Sequence, residues 1–132
     1  MGLDSGDQKR IKDSLCEIFL TDGMIRVQVL PGSLEEDDVK RIVERVQQFA
    51  GHDTYPVLVL PDKNTRISFF AVRVLASEAA MNYAEATAYI IRSFHHQLMA
   101  EALFRMYFPS KPIRVFTDEQ VALTWLGNFK KD

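Results

Sequence analysis

Residues 55–60, YPVLVL, offer a strand no polar position to turn toward water. A strand of that composition belongs inside a sheet covered on both faces, and helices must supply the cover. This requirement selects an α/β arrangement. A lone helical bundle, or a hairpin with one wet face, has no place for such a run.

The flanking sequence supplies the remaining parts. Residues 15–20 and 24–30 are short apolar, β-branched runs joined by Thr21-Asp22-Gly23, and Asp-Gly is the sequence of a tight hairpin turn. In the second run Ile25, Val27 and Val29 alternate with Arg26 and Gln28, giving one buried and one wetter face. Pro31-Gly32-Ser33 breaks the strand. Ser33 with Glu36 predicts a capping box opening a helix over residues 34–49, which buries Leu34, Val39, Ile42, Val43, Val46 and Phe49. A second helix is expected over 67–80, with Phe70 and Val74 inward and Asn82 ending it. A strand follows over 86–91. Ser93 then caps a helix over 94–107 whose inward stripe is Phe94, Leu98, Ala102 and Met106. Residues 113–116 form the next strand, and Thr117 with Gln120 predicts a second capping box. The terminal helix buries Val121, Ala122, Trp125 and Leu126 before Gly127. The expected order is β-β-α-β-α-β-α-β-α, a mixed, largely parallel five-stranded sheet covered by four helices. Residues 1–10 are expected as a flexible N-terminal tail and 11–132 as a single domain.

Composition narrows the function classes. The chain is 47% hydrophobic and 26% charged, with 16 basic and 18 acidic side chains and a net charge of −2. A nucleic-acid partner is not expected, because no basic cluster larger than a pair is present to neutralise phosphates. The single cysteine, Cys16, rules out an intramolecular disulfide and reads as a small buried hydrophobe. The first dozen residues lack the apolar core of a secretory signal, and no run is long enough to span a bilayer, so the cytoplasm is the expected location.

Catalytic constellations are missing from the pattern. There is no G-x-S-x-G elbow and no glycine-rich phosphate loop. His95 and His96 are adjacent, and so lack the i,i+4 spacing that turns two imidazoles to one metal. Neither cofactor nor metal is expected. Arg73, odd in an apolar helix, reads as an intradomain ion-pair partner. The carboxyl ends of parallel strands are where open α/β sheets bind ligands. That edge gathers residues 31–33, Asp62, Lys63, Asn64, Thr65, Arg92, Ser93, Thr117 and Asp118. Helix capping accounts for most of its hydroxyls. Phe69, Phe104, Tyr107 and Phe108 lie off the main stripes and read as a self-association patch or a pocket lining.

Three stretches carry a family resemblance: the helix with Ala71-x-Arg73, the strand entering a helix through Arg92-Ser93, and PIRVFTDEQVALTWL at 112–126. With them the chain resembles the small bacterial STAS-like proteins related to anti-sigma-factor antagonists and the Sec14-like group. The resemblance implies the same element order, no enzymatic activity, and binding to a protein partner. In antagonists of this kind a Ser or Thr at the start of the helix after the middle strand is phosphorylated to switch binding. Here Asp62 matches the acidic residue at the strand end, the acceptor position reads Lys63 or Asn64, and Thr65 stands one or two residues late. Arg92 and Ser93 complete the implied interaction or switch edge. The reading is a non-catalytic regulatory or protein-interaction domain that self-associates as a homodimer. The alternative is Sec14-like binding of a small apolar ligand or lipid.

Overall fold

The structure, a computed structural model, describes residues 10–68, 71, 74, 84–91, 94–107 and 111–130. Its strands are β1 (Arg10–Lys12), β2 (Cys16–Thr21), β3 (Met24–Val29), β4 (Gly32–Leu34), β5 (Tyr55–Pro61), β6 (Thr65–Ile67), β7 (Ala84–Ile90) and β8 (Ile113–Phe116). Its helices are α1 (Glu36–Ala50), α2 (Phe94–Tyr107) and α3 (Glu119–Leu126). Six strands form one sheet in the order β1-β2-β3-β5-β7-β8, and β4 and β6 form a second, two-stranded sheet. The first three strands of the large sheet are antiparallel, and β3, β5, β7 and β8 run parallel. The architecture is the mixed, largely parallel α/β sheet expected, with more strands than the five predicted. The extra ones, β1, β4 and β6, are each three residues long, too short to show a period.

Asp22 and Gly23 both take positive φ, 55° and 74°, which gives the I′-type turn that matches the twist of β2 and β3. Side-chain parity then divides the core. Ile25, Val27 and Val57 point to the face covered by α1, where Val39, Val43, Val46 and Phe49 meet them, as do the helical, buried Ala71 and Val74. On the same face α2 packs Ala100 and Phe104 against Tyr89 and Val115. The opposite face belongs to α3, whose Ala122 and Leu126 cover Leu58, Ala86, Ala88 and Phe116. Each such aliphatic side chain, fully buried, stabilises the fold by about 1.5–3 kcal/mol.

Several local expectations shift. Ser33 does not cap α1. It pairs with Arg66 in the small sheet, and the capping box is two residues later, with Glu35 accepting from the Asp38 amide and the Asp38 carboxylate accepting from the Glu35 amide at 2.9 Å. Asp118, not Thr117, caps α3, accepting from the Gln120 amide at 2.8 Å. Both corrections replace a hydroxyl by a neighbouring carboxylate, which also suits the positive end of the helix. Arg10 belongs to β1 and not to a tail, held there by an ion pair with Glu17. Val121 is 54% exposed, because an eight-residue helix turns only Ala122 and Leu126 fully inward. Residues 1–9, 92–93 and 108–110, and most of the helix expected over 67–80 with its Arg73 and Asn82, lie outside the described residues.

Asp13 latches the hairpin to α1. Its carboxylate accepts from the Leu15 and Cys16 amides at 2.8 and 3.0 Å and pairs with Arg45 at 3.2 Å. Burial pushes its pKa up, but the two amide bonds and the Arg45 and Arg41 charges outweigh that, and the net shift is downward. A carboxyl depressed on folding contributes stability above its unfolded pKa and loses it as pH falls through the folded value. Asp13→Asn should therefore cost about 1 kcal/mol at neutral pH and shrink that difference below about pH 4, read from urea midpoints across pH. Thr87 offers the opposite case. It is buried between Val57 and Ile113 on adjacent strands, and its hydroxyl has no hydrogen-bond partner among the described residues. Thr87→Val should raise stability by about 1 kcal/mol; a lower urea midpoint would show that the hydroxyl is satisfied.

Candidate functional site

Where β3 and β5 end side by side, their exit loops must find partners for their backbone groups. They find each other. Gly32, Ser33 and Leu34 pair in parallel with Thr65, Arg66 and Ile67, while the Gly32 amide donates to the Asn64 carbonyl at 3.3 Å. The turn between β5 and β6 is closed from within. The Asp62 amide donates to the Val29 carbonyl at 3.1 Å and to the Thr65 hydroxyl oxygen at 3.0 Å. The Asp62 carboxylate accepts from the Asn64 amide at 2.9 Å, an Asx turn. The Thr65 hydroxyl donates to the Leu30 carbonyl at 2.9 Å. Asp62 and Thr65 are thus half-buried and internally bonded, whereas Lys63 and Asn64 stand exposed at the tip.

The chain then enters the next helical segment through Ser68, whose hydroxyl oxygen accepts from the Ala71 amide at 3.1 Å. This is N-cap geometry, and it places the helix start at Ser68, after β6. The hydroxyl at the head of the helix following β5 is therefore that of Ser68, a residue the spacing did not single out because β6 was not anticipated. Of the predicted edge, Asp62, Lys63, Asn64 and Thr65 come together in one turn. Thr117 and Asp118 sit instead at the head of α3, and Arg92 and Ser93 lie outside the described residues.

Two hollows meet at Pro61. An open polar one of about 430 Å³ is lined by Gln28, Pro61, Asp62 and Lys63. Gln28 reaches it from the wetter face of β3, its side-chain amide donating to the Leu60 carbonyl at 3.0 Å. The alternation in β3 was the signal for that placement. A second cavity of about 70 Å³ lies between the sheet and helices α1 and α2, lined entirely by carbon: Val29, Val39, Val59, Tyr89 and Phe104 among others. Ligand pockets are usually about 300–1,000 Å³, so this one is small and dry.

Among the described residues no group of His, Cys, Asp and Glu side chains converges to hold a metal ion. His52 is exposed at the end of α1. The Cys16 thiol is pushed up to about 12 by burial, with the nearby Asp13 charge adding to the shift, so it carries no thiolate at neutral pH.

The surface of α2 departs most from expectation. Its inward residues are Ala100 and Phe104, so Phe104 is core and not part of an exposed patch. Leu98, Ala102 and Met106, expected inward, point out, with Leu98 50% and Met106 67% exposed. Both stripes are apolar, and the pattern alone could not say which faced the sheet. Phe69 and Phe108 lie outside the described residues.

Residues 18–130 match the family described as "Domain of unknown function (DUF7793)". No curated protein matches the chain. Among solved structures it is similar to an uncharacterised protein of the DUF3478 family from Shewanella loihica PV-4, described as having a SpoIIAA-like fold. That likeness covers 95% of this chain and 99% of the other at a TM-score of 0.57 and 15% identity. It shows the fold, and places the chain in the STAS-like architecture.

Thr65 is the residue on which the turn depends. Thr65→Val should cost about 1–3 kcal/mol, because the Leu30 carbonyl and Asp62 amide both lose a partner. Hydrogen exchange should quicken at the Gly32, Asp62 and Ser68 amides while α3 stays protected; an unchanged urea midpoint would show that the tie is dispensable.

Proposed function

The chain belongs to the DUF7793 family, and from that premise we propose that it is a non-catalytic regulatory or protein-interaction domain, acting in the cytoplasm as one domain over residues 11–132 and associating with itself. The observation that carries this reading is the outward stripe of α2. A surface helix normally turns charged and polar residues to water. This one turns Leu98, Ala102 and Met106 outward along successive turns, a pattern that suits a covered face.

The polar turn fits a second recognition role. Lys63 and Asn64 are presented on a backbone held rigid by Asp62 and Thr65, so a partner meets a preformed shape and little ordering entropy is lost. With Arg92 and Ser93 this turn forms the proposed interaction or switch edge. The non-catalytic part of the reading follows the likeness to a SpoIIAA-like fold. Among those residues no helix is long and apolar enough to cross a membrane.

The Sec14-like alternative, a small apolar ligand or lipid, has the all-carbon cavity in its favour and its volume of about 70 Å³ against it. Native mass spectrometry of the purified protein separates the two. The interaction reading expects a dimer with no retained mass. A monomer carrying an apolar ligand would replace it with the second reading, and a bare monomer at every concentration would remove self-association.

A further inference from the structure

We propose that two copies of this chain join edge to edge along β8, giving one sheet continuous across both, with the two α2 helices side by side above the seam. The proposal rests on the self-association reading and assigns it a surface.

The large sheet has two outer edges, and they are guarded differently. At β1, Arg10 and Lys12 flank Ile11 on an exposed three-residue strand, and charge of this kind deters a further strand. At β8 the inner side is fixed by bonds from the Thr87 amide to the Pro112 carbonyl at 2.9 Å and from the Ile91 amide to the Phe116 carbonyl at 2.8 Å. Even-numbered residues of β8 therefore turn their backbone groups to β7. The N–H and C=O groups of Ile113 and Val115 turn outward, and no described residue pairs with them. Their natural complement is another strand.

A second copy is self-complementary there. In an antiparallel pair about a two-fold axis, opposed residues must share a face, so the axis passes through a residue and its own symmetry mate. Only registers centred on Arg114 or on Val115 keep three of the four strand residues opposed. The first sets the two Arg114 side chains against each other at a close pair, which like charges disfavour. The second joins Val115 to Val115 of the second copy by reciprocal hydrogen bonds. It also sets Arg114 against Phe116 of the second copy. Arg114 already lies 5.0 Å from the ring centroid of its own Phe116, so this environment suits it.

The same axis suits α2. The helix runs antiparallel to β8 in a crossover that takes the right-handed form, and this puts positions 98, 101 and 105 on the flank above the free edge. Phe104 stacks on Tyr89 at 5.7 Å, and Tyr89 is in register with Val115, so the middle of α2 lies level with the axis. Two α2 helices so placed run antiparallel at about the 8–10 Å spacing of packed helices. Glu101 then faces Arg105 of the second copy, twice by symmetry, with Leu98 beside them. Neither Glu101 nor Arg105 has an ion-pair partner among the described residues.

Charge exchange on full-length protein tests this. In sedimentation equilibrium, Glu101→Arg and Arg105→Glu should each weaken the wild-type dimer about tenfold, since two attractive pairs become repulsive. The double variant should recover most of the loss, and the Ile113 and Val115 amides should exchange more slowly in the dimer than on dilution. If the wild type associates but all three variants match it, the β8–α2 interface is wrong and self-association stands. A wild type that stays monomeric overturns both.

Discussion

Val57 and Leu58, adjacent on β5, face opposite ways, and neither has any surface in contact with water. That dryness on both sides organises the molecule. Val57 lies in the cluster roofed by α1, and Leu58 in the one floored by α3. The cover is unequal, because α1 and α2 line one face while the eight residues of α3 serve the other. α3 reaches β5, β7 and β8, and its Glu119 ties it to β3 through an ion pair with Arg26 at 2.6 Å. Towards and beyond the limit of its reach the face carries Arg26, Gln28 and Glu17, half-buried polar residues. The continuous apolar run of β5 and the alternation of β3 thus record how far α3 extends.

The same parallel packing makes the exit loops what they are. Two strands leaving side by side would strand their loop backbones at the rim of the core, and the β4–β6 pair resolves this. Order at this turn engages the side chains of Asp62 and Thr65. The hydroxyl of Thr65 and the carboxylate of Asp62 are both committed to bonds within the turn. A reagent that needed either group free would first have to open the loop.

Legibility in the sequence followed the length over which each signal is repeated. The Asp22-Gly23 turn, the α1 stripe and the apolar β5 each carry several agreeing residues, and the structure has them where expected. The three-residue strands carry no period, so β6 was hidden at the junction of an expected loop and an expected helix, and with it the position of Ser68. Caps were misplaced by a residue or two, because Ser33 and Glu35, or Thr117 and Asp118, compete for the same amides. α2 failed differently. Its apolar residues occupy more than one stripe, so a period of 3.6 does not choose a face. The choice was made by Tyr89 and Val115, which β7 and β8 place beneath Ala100 and Phe104.

The proposed recognition role draws on what these constraints leave facing outward. Of the groups that often do chemistry, the Cys16 thiol is buried and held protonated, the Asp13 carboxylate caps the hairpin, and Asp62 and Thr65 close their own turn. What still faces outward with unmet preferences is different in kind. The outer backbone of β8 wants hydrogen bonds, the stripe of α2 wants an apolar neighbour, and the tip at Lys63 and Asn64 offers a fixed polar shape. A hydrogen-bonding edge beside an apolar helix rewards a partner of matching shape. It gives a small reactive substrate little to hold. In the proposed role the sheet's geometry is the feature on which binding acts.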